Sequence, residues 1–195
     1  YAEAVNNQTQ CKSLTRTAVT LTILGAPAPP VSDGDITICE GEELKITASA
    51  SGPGTIVWYD QLVGGNIVED PSLSTVGSVT YYAQSVGSSC SSLERTPVTL
   101  TILAAPVAPE SEGDQTICEG EASTITASAS VPEGFSIVWY TSAIEGSVVA
   151  NPSLSTVGSV TYYAEAVNDE TGCVSLTRTP VTLTILAAPV APESE

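Results

Sequence analysis

The sequence predicts an all-β chain of tandem sandwich modules, each about 80 residues long, and three observations carry that expectation. The thirteen residues Pro71–Ala83 recur unchanged as Pro152–Ala164, 81 positions further on, and the Tyr-Ala of this stretch also opens the chain as Tyr1-Ala2. Short runs alternate apolar and polar residues with a period of two, as strands with one buried face do, and no stretch carries a helical period. Gly, Pro, Ser and Asn clusters punctuate these runs at roughly 8 to 12 residues, the spacing of a sandwich or barrel.

Residues 1–24 match the last third of a module. Tyr1–Asn6 aligns with Tyr163–Asn168, and Thr17–Leu24 aligns with Thr96–Leu103. In the second piece Val19, Leu21 and Ile23 point one way and Thr20 and Thr22 the other, which predicts a strand of a C-terminal hairpin. A two-stranded hairpin is marginal in water and needs a further sheet. Because Tyr1 reads as the middle of a strand, the chain is expected to be a window on a longer polypeptide.

Gly25–Pro30, Ala104–Pro109 and the stretch 187–195 are rich in Ala and Pro. Proline favours extended backbone and removes donors, so these are read as short, stiff linkers, the last leading to a further repeat. Between them lie two complete modules, 31–103 and 110–186. The first holds Ile36–Cys39, Leu44–Ala50, Ile56–Tyr59, Ile67-Val68, Thr80–Val86 and Thr96–Leu103 as strands, with Pro97 placing the start of the last on a sheet edge. The second repeats the order. About seven short strands per module indicate a β-sandwich of immunoglobulin type.

Composition narrows the partners. Five basic residues face 22 acidic ones, for a net charge of −17. That field repels phosphate backbones and anionic headgroups, which argues against nucleic-acid and membrane-surface partners. No apolar run reaches the length of a membrane-spanning helix.

Cysteine placement follows the repeat. Cys39 and Cys90 flank the first module and Cys118 and Cys173 the second, while Cys11 takes the position of Cys90. One bond per module, Cys39–Cys90 and Cys118–Cys173, is the preferred pairing, with Cys11 bonded outside this chain. In a simple sandwich the two loops of one module stand at opposite poles, so bonds between neighbouring modules, such as Cys39–Cys173, are the alternative. The chain has no His and no Cys-x-x-Cys, which argues against zinc.

Trp58, Trp139, Tyr81 and Tyr162 are read as core residues, with carbohydrate stacking as the rival role for the tryptophans, and one tyrosine of each adjacent pair is expected to close a corner by hydrogen-bonding backbone while the other faces out. Arg16, Arg95 and Arg178 occupy one repeat position; an ion pair or stacking on tyrosine is the plain reading and a ligand contact the sharper one. Asp33, Asp35, Glu112 and Asp114 gather near the linkers as candidate calcium ligands, without the spacing of an EF-hand. No other cofactor is expected. Without His no Ser-His-Asp or Cys-His arrangement exists, and acids duplicated in equivalent turns are a poor basis for an active site, so the chain is not expected to be an enzyme.

Thr37–Glu42 and Thr116–Glu121 (Thr-Ile-Cys-Glu-Gly-Glu), Val57–Tyr59 and Val138–Tyr140, Val-Thr-Tyr-Tyr-Ala, and Arg-Thr-Pro-Val-Thr-Leu-Thr-Ile recur in one order. In this set the chain resembles the tandem immunoglobulin-like repeats of large secreted and cell-surface, adhesin-type proteins of Bacteroidota-like bacteria. The resemblance implies an extracellular, non-catalytic stalk whose partners are neighbouring repeats of the same protein. A second expectation is a self-assembling fibre subunit completed by donation of the Tyr1–Leu24 hairpin, through lateral or end-to-end association. A third is a carbohydrate-binding module of a secreted enzyme.

Overall fold

The computed structural model describes residues 1–191, and they contain no helix. The last four residues of the 187–195 linker lie outside the described residues. Over 31–103 the strands are β1 (Val31–Ser32), β2 (Ile36–Cys39), β3 (Ile46–Thr47), β4 (Ala50–Ser51), β5 (Thr55–Tyr59), β6 (Ile67–Val68), β7 (Ser72–Leu73), β8 (Gly77–Val86) and β9 (Thr96–Leu103). Over 110–186 they are β10 (Glu110–Ser111), β11 (Gln115–Cys118), β12 (Ile125–Thr126), β13 (Ala129–Ser130), β14 (Phe135–Tyr140), β15 (Ser153–Leu154), β16 (Gly158–Asn168) and β17 (Thr179–Leu186).

Both repeats use the same wiring. The main sheets run β2-β9-β8-β5-β6 and β11-β17-β16-β14, and the remaining strands pair as β1–β4, β3–β7, β10–β13 and β12–β15. Each first main strand is parallel to the last, with Cys39 opposite Leu103 and Cys118 opposite Leu186. β11 joins β17 only from Leu183 onward. Pro180, opposite Tyr163, therefore lies where β17 is paired on one side only, and its missing donor breaks no ladder bond.

By its contacts the chain divides into two compact units. One comprises Tyr1–Asp33, Ala50–Glu69 and Tyr82–Pro97; the other comprises Gly34–Ser49, Asp70–Tyr81 and the residues from Val98 on. The Cys39 turn thus belongs to the unit that holds 110–186.

In that unit the period-two pattern of β17 explains the core. Val181, Leu183 and Ile185 are buried with Ile125 and Ala127, and Trp139, Tyr162 and Leu154 pack against them half-buried. Fully burying such an aliphatic side chain contributes roughly 1.5–3 kcal/mol. The outward threonines pair across strands, Thr161 with Thr182 at 3.0 Å and Ser159 with Thr184 at 3.0 Å. The Tyr162 hydroxyl donates to Ser153 O at 2.9 Å, and Tyr81 repeats the bond to Ser72 O at 2.8 Å. Trp58 and Tyr81 are half-buried like their counterparts.

In the other unit, the first 24 residues form a hairpin tip rather than two strands. Its bridges are Ala2↔Thr17 and Val5↔Lys12. The expected strand over Thr17–Leu24 does not form, and Leu21 and Ile23 are more than 90% exposed. Alternation makes a strand only against a sheet that takes up its donors and covers its apolar side. This segment has no such cover in its unit.

Candidate functional site

The chemistry-bearing feature is a cysteine junction, and it starts from the Cys-Glu-Gly-Glu turn. Glu42 N–H donates to Cys39 O at 3.2 Å. Gly41 sits at φ 93°, the left-handed position that a type II turn gives to glycine. The Glu42 carboxylate accepts the Cys39 N–H at 2.9 Å, and Glu40 accepts the Ala105 N–H at 3.2 Å. The motif's acids therefore hold their own turn and the start of the following linker.

The other half is a hairpin tip. Asn168 N–H donates to Cys173 O and Gly172 N–H to Asn168 O, both at 2.8 Å. Asn168 Oδ1 accepts from the N–H groups of Glu170 and Thr171, and Ser175 Oγ donates to Thr177 O. The tip presents Cys173 and Leu176 to the Cys39 turn. Cys39 and Cys173 are disulfide-bonded with Cα atoms 5.4 Å apart. A side-chain carbon added at Gly41 would lie 2.6 Å from Leu176 Cδ2 and would push that leucine tip aside, so the demand for glycine comes from its φ. The bond spans 134 residues, a loop closure worth about 5 kcal/mol in the chain-entropy account.

This corrects the preferred pairing. Cys39 is bonded to Cys173, not Cys90, and Cys118 is not bonded to Cys173; Cys11, Cys90 and Cys118 are free thiols. The reason is polar separation. Cys118 lies beside Leu186 at one end of β17, whereas Cys173 precedes Thr179 at the other. Eight residues of strand span roughly 25 Å, while a disulfide tolerates Cα separations up to about 7 Å. The signal for the second half was in the sequence as Cys-x-Ser-Leu-x-Arg-Thr, which occurs at Cys11–Thr17, Cys90–Thr96 and Cys173–Thr179.

The arginine of that motif is structural. Arg178 stacks 3.3 Å from the centre of the Tyr140 ring. Its Nε donates to Glu165 Oε2 at 3.0 Å, and its Nη1 to the carbonyls of Ser142 and Glu145. Burial, followed by the hydrogen bond to Glu165, pushes the Tyr140 phenol above its ordinary pKa. Arg95 repeats the stack on Tyr59 at 3.3 Å and caps the carbonyls of Gln61 and Gly64. Arg16 reaches Glu3, at 3.4 Å.

The calcium candidates are dispersed into similar service. Asp35 Oδ1 accepts the Thr99 N–H and Asp114 Oδ1 the Thr182 N–H, each at 2.7 Å. Each caps a donor one residue before the parallel strand joins. Glu112 accepts from the Ser128 hydroxyl. Among the described residues, Asp33 included, no group of three or more potential ligands gathers.

Among curated proteins, none matches the chain. Solved structures resemble it distantly. A three-domain immunoglobulin fragment of titin is 17% identical, with a TM-score of 0.40, covering 85% of this chain and 68% of that one. The four N-terminal immunoglobulin domains of a Dscam1 isoform are 16% identical, with a TM-score of 0.33, over 83% of this chain and 52% of that one. A SusE-like surface-located polysaccharide-binding protein from the Bacteroides thetaiotaomicron heparin utilisation locus is 15% identical, with a TM-score of 0.33, over 82% and 34%. Likenesses this distant carry no function across. Residues 27–103 and 106–186 each match the family described as "Ig-like domain CHU_C associated", and the chain belongs to that immunoglobulin-like family in two tandem copies.

Proposed function

We propose that this chain is a structural, non-catalytic segment of an extracellular stalk, whose working feature is the covalent clamp between successive repeats. The carrying observation is the Cys39–Cys173 bond, which ties the turn after β2 to the hairpin before β17. A bond of this kind persists in oxidising surroundings, outside the cytosol. It lets tension pass from one repeat to the next without unravelling the chain between its two ends. The remaining charged groups of the repeats support the same reading, since the arginines brace loops and the motif carboxylates hold turns. The high acidity keeps neighbouring stalks apart.

The carbohydrate-binding reading lacks its platform. Among the described residues Tyr1 is the only exposed aromatic side chain; Trp58 and Trp139 are half-buried, and Tyr59 and Tyr140 lie under arginines.

The test is antibody labelling of intact and permeabilised source cells, with the reduced polypeptide's mass read in parallel. Labelling of intact cells and a mass many times 19.9 kDa is expected. Signal only after permeabilisation would sink the reading.

A further inference from the structure

We infer that the Cys39–Cys173 bond is a tension-gated redox latch on a length reserve. The seating of β2 shields the bond from external thiols, tension that lifts β2 opens it to them, and reduction then hands the load to the 134-residue span that the bond closes off. The inference rests on the stalk reading for the source of the tension.

The load path follows from the connectivity. Tension that enters through β2 reaches Cys39, crosses the two sulfurs to Cys173 and leaves through β17, so the chain between these cysteines carries none while the bond holds. The two loaded strands are unequal. β2 ends its sheet and is held by β9 alone, with Ile36–Cys39 opposite Leu100–Leu103. Its Ile36 and Ile38 are only half-buried. β17 runs between β16 and β11, and its Val181 and Leu183 are fully buried. Fewer ladder bonds and less buried apolar surface make β2 the strand that yields first.

What β2 holds in place is the cover of the bond. Glu40 N–H donates to Leu103 O at 2.8 Å, and the Glu40 carboxylate accepts the Ala105 N–H at 3.2 Å, which pins the Cys39 turn to the end of β9. Cys173 is 1% exposed and Cys39 is half-buried. Exchange needs a thiolate that reaches one of the two sulfurs, so this cover slows reduction and access decides which sulfur is attacked. When β2 peels from β9 the Glu40 bonds go with it, and the Cys39 sulfur is bared. The Cys173 side stays folded, with Asn168 N–H on Cys173 O at 2.8 Å and Ser175 N–H on Ala166 O at 2.9 Å.

The chemistry needs a low-molecular-weight thiol as reductant. Its thiolate attacks the Cys39 sulfur, breaks the S–S bond and expels the Cys173 thiolate, which takes a proton from water. A second small thiolate attacks the outer sulfur of the mixed disulfide and expels the Cys39 thiolate. The protein disulfide is reduced to two thiols, and two small thiols are oxidised to one small disulfide. Under tension the first step suffices, and the load passes to a span that is about 460 Å long at full extension.

The experiment tethers the purified chain by its two ends, with Cys11, Cys90 and Cys118 changed to serine so that no thiol of its own attacks the bond. It is held at one constant force with or without 2-mercaptoethanol. Without thiol, a short lengthening as β2 detaches is expected, and no release of the span. With thiol, lengthening that totals about 460 Å should follow the short step, at least tenfold faster than in traces still awaiting it. The force is held constant because tension speeds cleavage of any disulfide, whereas only the gate ties the rate to the short step. In the unloaded folded chain, Ile38→Ala should loosen β2 and speed reduction at least threefold, and the mixed disulfide trapped by acid should sit on Cys39. Release without thiol, equal rates before and after the short step, an Ile38→Ala chain reduced no faster, or a mixed disulfide mainly on Cys173 overturns the inference. These readouts do not depend on where the chain resides, so cell-surface labelling can fail while the latch stands, and the latch can fail while labelling succeeds.

Discussion

Arg178 lies over Tyr140, its guanidinium carbon 3.3 Å from the ring centre, while its Nε holds Glu165 at 3.0 Å. Both charged side chains are only about a tenth exposed, at 12% and 11%. Removing one member of such a pair leaves the other buried without a counter-charge, at a cost of roughly 3–5 kcal/mol. Arg178→Ala should lower the urea-unfolding stability of its unit by about 3 kcal/mol. Arg95 faces the neutral Gln84 instead, so Arg95→Ala should cost about 1 kcal/mol, the scale of the stacking alone. Equal losses would show that the ion pair with Glu165 adds nothing beyond the stack.

Ser85 makes the opposite case. Its hydroxyl is fully buried without a hydrogen-bond partner, and the equivalent position in the next repeat is Ala166. Ser85→Ala should therefore stabilise by about 1 kcal/mol, since an unpaired buried hydroxyl carries a desolvation cost. A lower urea midpoint in the variant would show that the hydroxyl has a role in the fold.

The two corner tyrosines should behave as twins. Tyr81 and Tyr162 each give one hydroxyl proton to a backbone carbonyl nine residues earlier. Phenylalanine at either site should cost about 1 kcal/mol in thermal or urea melts. A neutral result at both would mean that water replaces the bond without loss.

Asp114 should matter for a hydrogen bond and not for a metal. With its carboxylate on the Thr182 N–H, Asp114→Ala should destabilise by about 1–2 kcal/mol, and melts of the native chain in millimolar calcium and in chelator should coincide. A calcium-dependent rise in the melting temperature, lost in Asp114→Ala, would contradict this.

Tyr140 sets an alkaline limit. Burial and Glu165 raise its pKa above the ordinary phenol value of 10.0. A raised folded-state value means that the neutral form is favoured on folding. The associated stability is complete below the unfolded-chain value and is lost as pH rises through the folded one. Tyr140→Phe should flatten that alkaline decline in pH-dependent melts. Parallel declines in native chain and variant would show that other groups cause it.

Much of the fold was legible because it rests on local, repeated signals. Val181, Leu183 and Ile185 alternate with threonines, so one face of β17 had to be buried. The prolines at 27, 29 and 30 announced a boundary, and Pro97 and Pro180 announced a strand start paired on one side. The same logic failed at Thr17–Leu24, which has the pattern of a strand and no sheet to lie against. The arginine stacks were one of two readings in the sequence, and deciding between them needed the distance to a tyrosine some 36 to 38 residues away.

By itself the sequence determined the repeat, the all-β class, the turn at each Cys-Glu-Gly-Glu and the equivalence of Cys11, Cys90 and Cys173, because each follows from residues close together in the chain. Only the tertiary structure decided which cysteine meets which. Pairing is governed by which ends of the strands come within about 7 Å. The parallel register of β11 on β17 puts Cys118 at the end remote from its own hairpin, and it is Cys39 that meets the Cys173 tip. That register turned an expected staple within each repeat into a clamp between repeats.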